Sequence, residues 1–228
     1  MSAIKAAVDR RFAIEVDLQI AEDGVPMVFH DSTLDRLTSE TGSVRSWAST
    51  RLQSVRLNGS DDKIPTFDAL LEEVNGLVPL VIELKPHGAL TEPLAHSVLE
   101  RLKHYSGQTA LMSFDPSMVA TLKREAADHP RGIIADVTQN PVPWGGTSAI
   151  GRFSLRHLMH IPGTRPDFIA YDCRALPAPG PALWSNLFDL PVLSWTVRSR
   201  QEADRIQKTV NQIIFEGFDP ESAPDRIG

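Results

Sequence analysis

Two charged pairs in this sequence have the spacing that puts side chains on one face of a strand. In IEVDLQIAEDGVPMVFHD, residues 14–31, Glu15 and Asp17 are two apart, with Ile14, Val16 and Leu18 at the alternate positions. Successive side chains of a strand point to opposite faces, so the carboxylates share one face and the aliphatics the other. VIELKP repeats the arrangement, with Glu83 and Lys85 set against Ile82 and Leu84. Ionised carboxylates on a covered strand are costly unless they are paired or bind metal. Glu15, Asp17 and Glu83 on neighbouring strands, near the strand ends, would form a hard oxygen site suited to Mg²⁺ or Ca²⁺ rather than Zn²⁺. The alternative, equally compatible with either strand alone, is ion pairing, with Glu15 on Lys85 and Asp17 on an arginine. His30 follows an apolar run and precedes Asp31. That carboxylate could orient the imidazole and raise its basicity for acid/base work. A structural histidine at a strand end is the plainer alternative. Asp23-Gly24 is a turn signal in its own right.

The elements that must position these groups alternate along the chain. Strand patterns fall at 12–19, 80–85, 109–114, 132–136, 167–172, 192–197 and 212–216, and many are continuous Val/Ile-rich runs, as in a parallel sheet covered on both faces. Helical patterns lie between them. Thr66 can cap FDALLEEV, the pattern at 92–105 has Gly107 just beyond it, and Asp115-Pro116 opens SMVATLKREAAD. Further helical patterns occupy 154–160 and 201–210, with a short one at 182–188. MSAIKAAVDRRF also reads as helical. Segments 31–62, with a weak helical pattern at 49–56, and 137–153 read as long loops. The alternation predicts a (β/α) barrel or a doubly wound sheet, and no GxGxxG fingerprint favours the second.

The chain has 228 residues, is 42% hydrophobic and carries a net charge of -6. It is long enough for a sizeable core, and no basic run marks a nucleic-acid or membrane surface. Cys173 is the only cysteine, so no intrachain disulfide forms. No apolar run reaches the roughly 18 residues of a membrane span. The N-terminus lacks the apolar core of a signal peptide. The expectation is a cytoplasmic protein, conditional on Met1 being the true start.

IEVDLQIAEDGVPMVFHD resembles the signature of the glycerophosphodiester phosphodiesterases: a Glu-x-Asp strand, a charged Asp-Gly turn and a strand ending in His-Asp. The likeness continues in order through LDRLTSETGSV, IPTFDALLEEV, IELKP, LMSFDP and LSWTV. It covers nearly the whole chain and is most specific in the first ninety or so residues. The resemblance implies an α/β fold, a TIM (β/α)8 barrel of the phosphatidylinositol-phospholipase-C-like type, as one domain over residues 1–228. It implies hydrolysis of small-molecule phosphodiesters such as glycerophosphocholine to glycerol 3-phosphate and an alcohol. By the same resemblance Glu15, Asp17 and Glu83 hold a divalent cation and His30 is one of two catalytic histidines. Lys85 lies near the phosphate, and Phe114 and Trp195 line the substrate end.

Three departures stand beside the likeness. The family's opening His-Arg-Gly strand and the Glu-Asn-Thr/Ser motif that follows it are not in this sequence, and residues 1–11 look like the helix after them. His87, His157 and His160 are not obvious substitutes for the second histidine. Arg198 stands where the family commonly has Asn, and Glu216 stands where Asp is usual, as a conservative replacement at the barrel mouth. Without the first strand, strand 12–19 is expected to present a free edge, and the chain to be a poor catalyst. Two other readings remain: a non-catalytic relative that binds a phosphorylated metabolite or a partner, and a phospholipase D-type lyase on the same barrel. The oligomeric state is not legible.

Overall fold

A computed structural model describes residues 1–85, 91–136 and 157–221. The chain divides into two compact units, Met1–Arg131 and Gly132–Gly228.

In the first unit, helix α1 (Ser2–Asp9) precedes strand β1 (Ile14–Ile20). Arg11, with φ at 57°, stops the helix and turns the chain into the strand. After a turn in which Gly24 takes φ 79°, β2 (Pro26–Val28) returns antiparallel along β1. A single turn of helix, α2 (Ser49–Leu52), stands where the weak 49–56 pattern lies. Then come α3 (Phe67–Val74), β3 (Leu80–Leu84), α4 (Thr91–Leu102), β4 (Thr109–Ser113) and α5 (Pro116–Glu125). The strand order here is β2-β1-β3-β4, with β1, β3 and β4 parallel.

Local chemistry sets the helix ends. The Thr66 side chain accepts a hydrogen bond from the Ala69 N–H at 3.1 Å, and Asn75 ends α3 in the left-handed conformation. Phe67, Leu70, Leu71 and Val74, at i, i+3, i+4 and i+7, form the buried stripe of α3. Asp115 accepts from the Ser117 N–H at 2.8 Å and Pro116 occupies the first turn, so α5 begins where the sequence predicts. Ile14, Val16, Leu18, Leu80, Ile82 and Leu84 are buried in one core with α3 and α4, which commits the alternate face of β1 and β3 to charge.

Segment 31–62 is more ordered than its weak periodicity suggests. Leu34, Val44, Leu52 and Val55 are buried with Ala21, Met27, Phe29 and Ile64 in a second cluster. Asp23, in the turn, accepts from the Ser49 hydroxyl at 2.7 Å and so ties that segment to the β1–β2 corner.

The second unit carries β5 (Arg131–Ala135), β6 (Phe168–Asp172), β7 (Val192–Val197) and β8 (Gln212–Phe215), with β6, β7 and β8 parallel in that order. The 154–160 helical pattern falls partly outside the described residues. Residues 157–160 form a turn, and a short helix, α6 (Ile161–Thr164), follows. Helix α7 spans Pro179–Phe188 and α8 spans Arg200–Ile206. Loop 137–153 and His87 lie outside the described residues. Among those described, no helix is long and apolar enough to cross a membrane.

The expected free edge of β1 has a partner over part of its length. Leu18–Ile20 pair with β2, and the Asp17 carbonyl accepts from the Phe29 N–H at 3.0 Å.

Candidate metal and phosphate site

The register between β1 and β3 builds the site. Asp17 is the pairing partner of Glu83, and Glu15 pairs with Val81. Glu15, Asp17 and Glu83 each bring a carboxylate oxygen within 4.8 Å of the others. Lys85 follows β3, with its N–H bonded to the Leu18 carbonyl at 3.1 Å. Its ammonium lies 2.8 Å from Asp17 Oδ1 and 2.5 Å from Glu83 Oε1. Neither pairing of the ion-pair alternative is formed in this way: Lys85 faces Asp17 and Glu83 rather than Glu15, and Asp17 pairs with a lysine rather than an arginine.

Burial dominates the electrostatics here. It lifts Glu83 from the usual carboxyl range to about 7, with Lys85 acting in the opposite sense and Asp17 adding to the rise. Burial also raises Glu15 well above its ordinary value, and Asp17 and Glu83 push it further. Burial alone would lower the Lys85 ammonium, but Glu83 and Asp17 outweigh it and hold the lysine charged.

The donor set fits a divalent cation. It is all carboxylate oxygen, and it is buried enough that a bare cluster is penalised. Glu83 Oε1, in ion-pair contact with Lys85, has no partner in hydrogen-bond geometry although it is shut off from solvent.

His30 stands at the end of β2. Its Nδ1 lies 2.6 Å from Asp31 Oδ1, and the imidazole is 58% exposed while Asp31 is mostly covered. Arg36 donates to Asp31 at 2.7 and 2.6 Å. That donation, with His30 adding to it, holds the Asp31 carboxyl below its ordinary value. Asp31 therefore stays an acceptor for an imidazole N–H.

Gln19, two residues beyond Asp17 and fully buried, donates to the His30 carbonyl at 2.9 Å. Gln19 thus holds the His30 backbone and Arg36 holds Asp31, and neither is among the residues that the motifs single out. Glu15-x-Asp17-x-Gln19 is the same period-two pattern carried one step further, and it was the available signal for Gln19. The Arg36 contact depends on the path of the 31–62 segment and has no comparable signal.

Phe114, just past β4, presents its ring 5.9 Å from the Lys85 ammonium. The structure thus brings Glu15, Asp17, Glu83, Lys85 and Phe114 together, and Gln19 ties His30 to the strand that carries two of them. Trp195 and Glu216 belong to the second unit. Trp195 is partly buried on β7, and Glu216, just after β8, is exposed and bonded to Arg198 at 2.7 Å.

The sequence profile of the glycerophosphoryl diester phosphodiesterase family matches residues 1–216. Human glycerophosphodiester phosphodiesterase 1 is 27% identical over 152 residues, which are 62% of this chain and 44% of that protein. The bovine protein of the same name is 28% identical over 135 residues, 54% of this chain and 40% of its own. The matched region thus spans less than half the length of these curated relatives.

Among solved structures, an Oleispira antarctica phosphodiesterase in complex with the product sn-glycerol-3-phosphate superposes with a TM-score of 0.76 at 18% identity, covering 94% of this chain and 85% of that one. A Thermotoga maritima glycerophosphodiester phosphodiesterase gives 0.70 at 19% identity, with 94% and 86% covered. At such identity the likeness is one of fold, and the fold is of the TIM-barrel type.

Proposed function

Because this chain belongs to the glycerophosphoryl diester phosphodiesterase family, we propose that residues 1–228 act as one catalytic domain that hydrolyses glycerophosphodiesters to glycerol 3-phosphate and an alcohol. The observation that carries the proposal is the carboxylate bed of half-buried Glu15 and Asp17 and buried Glu83, with an oxygen of Glu83 left without a hydrogen-bond partner of good geometry. These residues would hold Mg²⁺ or Ca²⁺, which when bound supplies positive charge for the phosphate oxygens. Lys85 adds a second cation beside the bed, and Phe114 supplies apolar surface next to it; Trp195, on β7 of the second unit, is proposed as a substrate contact on the family resemblance alone. His30 carries the proton for the leaving alkoxide on Nε2. The short contact to Asp31 commits Nδ1 to the carboxylate and leaves Nε2 to carry the transferred proton, and Arg36 keeps Asp31 an acceptor. Gln19 holds the His30 backbone so that the ring is presented from a fixed strand end.

Phosphorus NMR of glycerophosphocholine incubated with the protein tests the reading. Glycerol 3-phosphate should appear, and chelation of divalent ions should stop its formation. A cyclic phosphate product would instead point to lyase chemistry. Metal-dependent binding of substrate with no turnover would point to a non-catalytic relative.

A further inference from the structure

The metal bed already holds a cation of the protein's own. The Lys85 ammonium is 15% exposed and sits against Asp17 and Glu83, two of the three carboxylates that would hold the divalent ion. An ion held by the same two oxygens would compete with this ammonium for them. We infer that Lys85 is an internal counter-cation which the divalent ion displaces, and that the face of Phe114 is the seat to which the ammonium moves. The inference rests on the reading of the bed as a divalent-cation site.

Three observations carry it. Glu83 Oε1 lacks a hydrogen-bond partner of good geometry, so Lys85 holds it chiefly by charge, which a divalent ion can supply in its place. The Phe114 ring lies 5.9 Å from the ammonium, within the roughly 6 Å over which an aromatic face attracts a cation. Charge keeps the displaced group nearby: with a divalent ion bound and all three carboxylates ionised around it, the ion and the ammonium together balance them. Lys85 has a flexible stem, so the move needs no backbone change. The metal-free fold then keeps a positive group against two of the three carboxylates, and the ion binds by competing with a group built into the chain.

Calorimetric titration of Ca²⁺ and Mg²⁺ into the wild type, Lys85→Met, Phe114→Leu and the double variant tests the exchange. Lys85→Met should bind roughly tenfold tighter or more, since the ion no longer has to wait for a minor, lysine-displaced state. Phe114→Leu should bind roughly two- to fivefold more weakly, the loss expected for one cation–π contact. The double variant should match Lys85→Met, because the ring matters only to the ammonium.

If Lys85→Met does not fold, acetylation of Lys85 in the wild type, read by mass spectrometry, decides. Reactivity should rise when the ion is added, and unchanged reactivity would overturn the exchange. A wild type that binds neither ion would overturn both the exchange and the metal reading on which it rests. A wild type that binds, with Lys85→Met equal or weaker, would overturn the exchange alone. A Phe114 effect that persists without Lys85 would overturn the second seat.

Discussion

Burial disfavours the charged form of Glu83 in the first unit and of His160 in the second, and the two are handled in opposite ways. In the first unit Glu83 is pushed up to about 7 by burial, yet a lysine is set against it and two further carboxylates face it. In the second unit His160 is pushed down to about 4 by burial, and its Nδ1 has no hydrogen-bond partner. The first arrangement gathers charge and compensates it, which is what a site for a cation and a phosphodiester requires. The second leaves the group neutral, which is how a histidine is accommodated for packing. Perturbation alone therefore does not mark a functional group; the partners supplied to it do.

The largest effect expected from this contrast is on turnover. His30 lies in the unit that gathers charge, with an acceptor at Nδ1 and an exposed ring, and it is proposed as the acid/base group. His30→Ala should lower kcat by roughly 10²–10⁴-fold. The same change at His160 should leave kcat within a few-fold once stability is allowed for. Steady-state hydrolysis of glycerophosphocholine checks both, and equal losses at the two histidines would break the comparison.

The next effect is on stability against pH. The folded pKa of His160 lies below its ordinary 6.5, at about 4, so the unfolded chain binds more protons between these values. Stability is therefore fully present above about 6.5 and is lost as pH falls toward 4. The contribution is no more than about 3 kcal/mol, reduced because solvent reaches part of the ring. Denaturant midpoints at pH 7 and pH 4.5 should converge for His160→Leu relative to wild type. An unchanged gap would mean that His160 is not a source of acid sensitivity.

Much of this contrast was legible in the sequence in the first unit and little in the second. Glu15, Asp17, Glu83 and Lys85 could be read because strand periodicity fixes which side chains share a face, and parallel register then brings Asp17 against Glu83. The ends of α3 and α5 could be read because Thr66, Asp115 and Pro116 act locally. The contacts around His30 came from elsewhere: Arg36 reaches Asp31 through a segment whose buried Leu34, Val44, Leu52 and Val55 follow no period. The divided role of Lys85, between two carboxylates and an aromatic ring, needs three strands in register and has no one-dimensional trace. In the second unit, the burial of His160 depends on a turn at 157–160 rather than on the helix that the sequence suggests.

A smaller effect tests the bed directly. Glu83→Gln keeps the shape and removes one charged donor, and it should weaken Mg²⁺ or Ca²⁺ binding by at least ~10-fold, about 1.4 kcal/mol. Titration calorimetry in the presence and absence of chelator measures it. Unchanged affinity would remove Glu83 from the site and leave a structural ion pair in its place.

The smallest effect belongs to a second ion pair, which resembles the Lys85 pair in chemistry and differs from it in burial. Arg198 donates to Glu216 at 2.7 Å, with side chains that are 61% and 60% exposed. Water screens such a pair, and its expected worth is about 0–1 kcal/mol. Glu216→Gln should therefore move the denaturant midpoint very little, whereas removing a partner from a buried pair leaves an uncompensated charge and costs several times more. Glu216 is also the residue proposed to stand in for an aspartate at the substrate end, and that role is separable from the ion pair. If Glu216 touches substrate, Glu216→Gln should raise KM for glycerophosphocholine while Arg198→Gln, which breaks the same pair from the other side, leaves KM unchanged. Equal KM shifts in the two variants would assign the effect to the pair rather than to Glu216. No shift in either would confine Glu216 to the surface, and the exposed pair would then be a solvated contact with no share in the reaction.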